Sequence, residues 1–248
     1  MIFQTLSVQR NGAAANSRPR IQLVGDWLGE MGFANGALVQ SLPETGGFAF
    51  ILCNENINYA GLFHSTKEKG GTLIRAYVSN GRTQAGTALV TTGKHILKGG
   101  LNFGDRLLAK CEYGRIRMRK VAGGVRLVHA AKAVNARTGV VTPKVSLLGG
   151  WLGDIGFTPD TLVTVADAPG CITFTAHGEA VIYADVVKHA RQNRMRLVQV
   201  SAKGGVPLLN VSGPFVEKSG FSLGDIFCAE YGHGVIRLRE LDPQRFGF

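Results

Sequence analysis

The nonapeptide "GDWLGEMGF", Gly25–Phe33, returns 124 positions later as "GGWLGDIGF", Gly149–Phe157, with three changes and with both tryptophans of the chain inside the pair. The match extends outward on either side. Tyr59-Ala60 falls on Tyr183-Ala184 and Leu73-Ile74 on Leu197-Val198. After a loop shortened by four residues, Gly104-Asp105 falls on Gly224-Asp225, and Ile116–Arg119 ("IRMR") on Ile236–Arg239 ("IRLR"). The 248 residues are therefore two copies of about 120 residues, joined at Ala122–Val125.

Each copy divides again. "GPFVEKSGF", Gly213–Phe221, keeps the skeleton of the nonapeptide, and "GKHILKGGL", Gly93–Leu101, is its weakest form, with His95 where tryptophan stood. This defines four units at 1–53, 71–121, 124–178 and 194–241. Within a unit an alternating strand, such as Leu73–Ser79, Val125–Ala131 or Arg196–Ser201, leads through a polar connection into a second strand, such as Arg20–Gly25, Lys144–Gly149 or Pro207–Gly213. The nonapeptide follows. It is too short for a self-sufficient helix and reads as one helical turn closed by a left-handed glycine. With Gly32 at C′, Leu28 and Phe33 are the two side chains that meet across such an ending. Leu152 with Phe157, Val216 with Phe221 and Ile96 with Leu101 repeat the pair. Trp27 and Trp151 are expected to anchor the turn on the core. Two further short strands end each unit. A unit of about four short strands cannot stand alone and needs a second against which to close. Linker helices are expected at about 55–69 and, with Tyr183, Val186, Val187 and Ala190 at helical spacing, at about 180–192. The expected domains are 1–123 and 124–248.

The bulk composition is that of a globular chain: 45% hydrophobic and 18% charged residues, with 34 glycines against 8 prolines favouring tight turns over long helices. No apolar run approaches the ~18 residues of a membrane span. The N-terminus carries no basic region leading into an apolar stretch, so no signal peptide is expected. Cys53, Cys111, Cys171 and Cys228 lie in no metal-site spacing and read as half-buried thiols of a reducing cytoplasm. Net charge is +11, of which residues 1–123 hold 15 Lys and Arg against 7 Asp and Glu (+8) and residues 124–248 hold 13 against 10 (+3). Such an excess points to a polyanionic partner.

The pattern Pro-x-Ile-x-Leu-x-Gly-x-Trp-Leu-x-x-x-Gly-Phe, met here as Pro19, Ile21, Leu23, Gly25, Trp27, Leu28, Gly32 and Phe33, resembles the SymE toxin family. The third unit repeats it from Pro143 to Phe157, and the fourth keeps Pro207, Leu209, Val211, Gly213, Phe215, Val216, Gly220 and Phe221. That family is related to the AbrB and MazE transition regulators, in which two short chains interlace hairpins into one β-barrel that binds DNA. The resemblance implies a mainly β chain of two AbrB/SymE-like barrels, each built from two fused pseudo-symmetric units joined by a short helix. It also implies either nucleic-acid binding or a toxin acting on RNA or the nucleoid. Family members usually carry one unit and lack the linker helices.

The residues themselves favour binding over catalysis. The six histidines share no motif spacing, and His233, near Glu230, has no counterpart in the first copy. No catalytic residue, metal ligand or cofactor is assigned, and phosphate-binding or hydrolase signatures are missing. Cations cluster in two settings. In and beside the strand connections stand Arg10, Arg18 and Arg20, Arg75 and Arg82, Lys132, Arg137 and Lys144, and Arg196 and Lys203. In AbrB-like barrels the corresponding connections meet DNA. On strands stand Arg115, Arg117 and Arg119, beside Lys120, and Arg237 with Arg239. Alternation puts Arg115, Arg117 and Arg119 on one face, where they repel unless they meet phosphates or carboxylates, or else guard a solvated edge strand. The expected partner is DNA or RNA. The alternatives are an RNA-cleaving toxin and a protein-binding inhibitor module with an acidic partner, the chain being monomer or homodimer and free of membranes.

Overall fold

In a computed structural model describing residues 2–12, 17–53, 58–80, 85–135, 137–178 and 181–248, the chain divides into two compact units, Met1–Val121 with Pro243–Phe248, and Ala122–Asp242. The division falls two residues before the one read from the repeat. The last six residues belong with the first unit, where the Phe248 ring meets Phe3 edge-on at 6.2 Å.

The first unit begins with β1 (Ile2–Ser7), β2 (Gln9–Asn11) and β3 (Arg18–Val24), then a helical turn α1 (Trp27–Glu30) and the hairpin β4 (Leu38–Glu44) and β5 (Gly47–Leu52). Helix α2 (Tyr59–Glu68) leads to β6 (Thr72–Arg75), β7 (Tyr77–Asn80), β8 (Ala85–Thr92), turn α3 (His95–Lys98) and the hairpin β9 (Arg106–Glu112) and β10 (Arg115–Lys120). The second unit repeats this as β11 (Val125–Val134), β12 (Val141–Leu148), α4 (Gly150–Asp154), β13 (Leu162–Ala168), β14 (Cys171–His177), α5 (Tyr183–Gln192), β15 (Arg196–Gln199), β16 (Ser201–Lys203), β17 (Val206–Ser212), α6 (Pro214–Lys218), β18 (Ile226–Gly232) and β19 (Val235–Glu240). The chain is mainly β. The two longer helices match the expected linkers, except that residues 55–57 and 180 of those spans lie outside the described residues.

The strands of the first unit lie in the orders β6-β4-β5-β10-β9-β1 and β2-β3-β8-β7. β1 passes into β2 across buried Val8, and β6 into β7 across buried Ala76, so two chain segments leave one sheet and enter the other. The second unit runs the same order through one nine-stranded sheet, β15-β13-β14-β19-β18-β11-β12-β17-β16, with β11 filling the places of β1 and β2. Its two edge strands are consecutive in the chain across Val200, whose N–H donates to Thr161 O at 3.0 Å, so the sheet is nearly closed into a barrel. The halves of each unit are interlaced: β1 pairs with β9 and β6 with β4, while β3–β8 and β5–β10 join like strands. Neither half satisfies its own strand edges, which is why the repeat is obligatory.

Period-two alternation sends Pro19, Ile21 and Leu23 of β3 inward and leaves Arg18 outside. Each helical turn ends as expected. Gly32, Gly156 and Gly220 have φ of +88°, +92° and +87°, and Phe33, Phe157 and Phe221 donate their N–H to Leu28, Leu152 and Val216 at 2.9, 2.8 and 3.2 Å. All six side chains are buried. In the weakest unit Gly100 N–H still donates to Leu97 O at 3.0 Å. The tryptophans anchor their turns on the core, as expected. Both are half-buried, lying against the core rather than within it. Trp27 lies over the backbone of Gly25, where a Cβ would meet the indole Cδ1 at 2.5 Å, and this explains the Gly-x-Trp spacing.

Candidate nucleic-acid interface

β10 is an interior strand between β9 and β5, so its three arginines do not guard an edge. They converge on one carboxylate, supplied by Glu44 at the end of β4. Arg115 Nη2 lies 3.5 Å from Glu44 Oε1, and Arg117 Nε and Arg119 Nη1 lie 3.3 and 3.2 Å from Oε2. Arg119 Nη1 also donates to Thr45 O at 3.1 Å. Three positive charges against one negative charge leave a net +2 on this face. Beside it, Lys110 pairs with Glu112 at 2.9 Å, which holds the Glu112 carboxyl below the usual range, and Lys120 pairs with Asp105 at 2.9 Å. The ladder is thus partly self-neutralised, and it meets a carboxylate that no local pattern in the sequence announces.

The second copy repeats only a remnant. Val235 stands where Arg115 stood and Ala168 at the place of Glu44. Arg237 is opposite Glu230 across the β18–β19 pair, and Arg239 Nε lies 3.8 Å from Glu230 Oε2.

Within each unit the described cations of different connections lie apart. Arg20, near the start of β3, lies opposite Thr92 at the end of β8, whereas β7 ends and β8 begins at Asn80 and Ala85, beyond Val24, seven strand residues from Thr92 and so roughly 23 Å away. Arg82, expected in the latter connection, lies outside the described residues. Arg75 is tied locally, its Nη1 donating to Gly36 O at 3.0 Å. In the second unit Arg137 occupies the β11–β12 turn, where its backbone N–H donates to Asn135 Oδ1 at 2.9 Å. Lys144 is half-buried on β12 opposite Ser212, and Lys203 is exposed at the end of β16.

What the fold does assemble is a cleft of about 360 Å³ in the first unit, lined by Ser17, Arg18, Pro19, Gly93, Lys94, Leu97 and Phe103. The Arg10 guanidinium lies over the Phe103 ring at 4.9 Å. Arg10, Arg18 and Lys94 bring three cations to this place, and its lining holds no carboxylate. Turn α3 connects it to the ladder. Lys94 stands at the start of α3, and Gly99, at its end, packs against the carbonyls of Gly47 and Glu44. Arg20 is half-buried on β3, and its Nε has no hydrogen-bond partner. Lys94 and Phe103 escaped the reading of the sequence, because the unit carrying them has the most diverged nonapeptide.

Beneath α3, His95 takes the tryptophan position. Its Nε2 lies 2.9 Å from Thr91 Oγ1 and 3.4 Å from Ser41 Oγ, and Ser41 Oγ donates to Thr91 Oγ1 at 2.8 Å. Burial, followed by the nearby Lys98, pushes the His95 pKa down. Ser41 is fully buried, so the trio reads as a satisfied core network and not as a nucleophile with its base. His233 is exposed and lies over Gly156. All four cysteines are free, and burial pushes Cys111 up to about 12, so that thiol is inert. Among the described residues no group of three or more His, Cys, Asp or Glu is placed to hold a metal ion, and no helix is long and apolar enough to cross a membrane. No protein-family model, no curated protein and no solved structure matches the chain.

Proposed function

We infer that the chain is a nucleic-acid-binding protein of SymE/AbrB-like descent, two fused-unit barrels in one polypeptide, and that its first unit grips the phosphate backbone. The observation that carries this reading is the cleft where Arg10, Arg18 and Lys94 surround Phe103 with no carboxylate among its lining residues. Cations with no carboxylate partner among the described residues bind phosphate at little desolvation cost, and an aromatic floor accepts the sugar beside it. The ladder adjoins it with a further net +2. The interlaced strand order and the four glycine-closed turns support the family relation.

Three cleft cations and two uncompensated ladder charges make about five phosphate contacts, hence a slope of log K against log salt of about −3.5 to −4.5. Mobility shifts on mixed DNA and RNA across a salt series, with RNA integrity followed in the same samples, test the reading. Replacing Arg10, Arg18 and Lys94 with Gln removes ~2–3 units of slope, for every sequence alike. A slope near zero, or a variant that binds like the wild type, refutes it. Cleavage of RNA in the absence of metal would place the chain among the toxins instead.

A further inference from the structure

The linker helices face in two directions, and only one face of each is needed to join the halves of a unit. Helix α2 turns Thr66 inward, where its Oγ1 accepts from Gln40 Nε2 at 2.7 Å, and α5 turns Val186 and Ala190 inward. The outward faces carry a matched series at i, i+4 and i+8. In α2 these are Tyr59, Phe63 and Lys67, and in α5 Tyr183, Val187 and Arg191, where Tyr59 and Tyr183 are equivalent positions of the repeat. The tyrosines are 57% and 67% exposed and Phe63 is 42% exposed, although Tyr183 falls at the helical spacing that the sequence assigns to packing. Tyr59 and Phe63 stack at 6.4 Å with planes 17° apart, and Lys67 Nζ lies 5.2 Å from the Phe63 centroid. On α5 the series lines a shallow groove of about 430 Å³ that also includes Lys188.

We propose that these two helix faces are stacking platforms for unpaired bases of single-stranded nucleic acid, a base lying on Tyr59 and Phe63 or on Tyr183, and a flanking phosphate held by Lys67 or by Lys188 and Arg191. Two complementary features select this occupant. An exposed planar ring meets the face of a base, and a cation one or two turns along the helix meets the negative charge that every nucleotide carries beside its base. A duplex buries its base faces within its own stack and cannot use the platform. An aromatic i, i+4 pair that merely stabilised its helix would need no cation at i+8 and no tyrosine at the same place in a second helix whose i+4 residue is Val187. The inference rests on the nucleic-acid reading above and adds a preference for single strands that the cleft and the ladder, which contact only backbone, do not supply.

The test compares the full chain with its Tyr59→Ala/Phe63→Ala/Tyr183→Ala variant on a labelled dT20, a labelled U20 and a 20-base-pair duplex. The expected result is at least a tenfold loss of affinity for both single strands, no more than a twofold change for the duplex and an unchanged salt slope. The side chains are exposed, so an unchanged melting temperature accompanies it. A Tyr183→Trp variant retains single-strand affinity, and its added indole emission is quenched by dT20. Equal losses on single strand and duplex, no loss on either, or a wild-type dimer that the triple variant dissociates without weakening dT20 binding, each overturn the platform while leaving the cleft reading intact. A wild type that binds none of the three probes overturns both.

Discussion

The Glu44 carboxylate makes the arginine ladder a quantitative test, because two substitutions at one place must act with opposite sign. Replacing Arg115, Arg117 and Arg119 with Gln removes three positive charges, but one of them is already matched by Glu44, so two phosphate contacts are lost. At ~0.7–0.9 per contact the salt slope flattens by ~1.4–1.8, and the affinity at 0.1 M salt falls about 25- to 60-fold. Replacing Glu44 with Gln instead frees the third guanidinium. The slope steepens by ~0.7–0.9 and affinity at 0.1 M rises roughly five- to eightfold. The same change loosens the ladder. The pairs are partly exposed, with Arg side chains at 46%, 31% and 16%, so each is discounted for solvent screening and the total stability loss is about 1 kcal/mol. Fluorescence anisotropy on one oligonucleotide from 0.05 to 0.4 M salt, with denaturant melts of both variants, measures all of these. If both variants bind with the wild-type slope, the ladder is a self-neutralised face of the sheet and binding belongs to the cleft alone. If Glu44→Gln weakens binding without unfolding the chain, the carboxylate orders the arginines and does not compete with phosphate.

His95 titrates below its ordinary value, so the unfolded chain takes up a proton first. The stability it contributes is full above pH ~6.5 and is lost as pH falls from there through the depressed folded value. An NMR midpoint for His95 at or above 6.5 contradicts this. Trp27→Ala and Trp151→Ala destabilise by ~2–3 kcal/mol each, less than a fully buried aromatic, because both rings are half-buried. Losses above ~5 or below ~1 kcal/mol in urea melts count against the observed packing. Residues 1–121 fold alone as a monomer, since the strand pairs of β1 to β10 close within them; a fragment with the circular dichroism of a coil refutes it.

Much of the architecture is local and therefore readable in the chain. A glycine at positive φ and two apolar side chains five residues apart, Leu and Phe in two of the four places, specify the closed turn, and four occurrences specify four units. The charge asymmetry between the copies is likewise plain in the sequence. Three matters belong to tertiary structure alone. The exchange of β1 and β6 between halves rests on hydrogen bonds to strands far along the chain, which no periodicity encodes. Glu44 meets the ladder from 71 to 75 positions away, so the sequence presents three repelling arginines where the fold presents a coordinated carboxylate. Lys94 and Phe103 become neighbours of Arg10 and Arg18 only because β3 pairs with β8 and the turn after β8 brings α3 alongside. Residue spacing encodes backbone geometry over a turn or a strand. Which charges share a site is decided by strand pairing, an energy summed over contacts between distant segments.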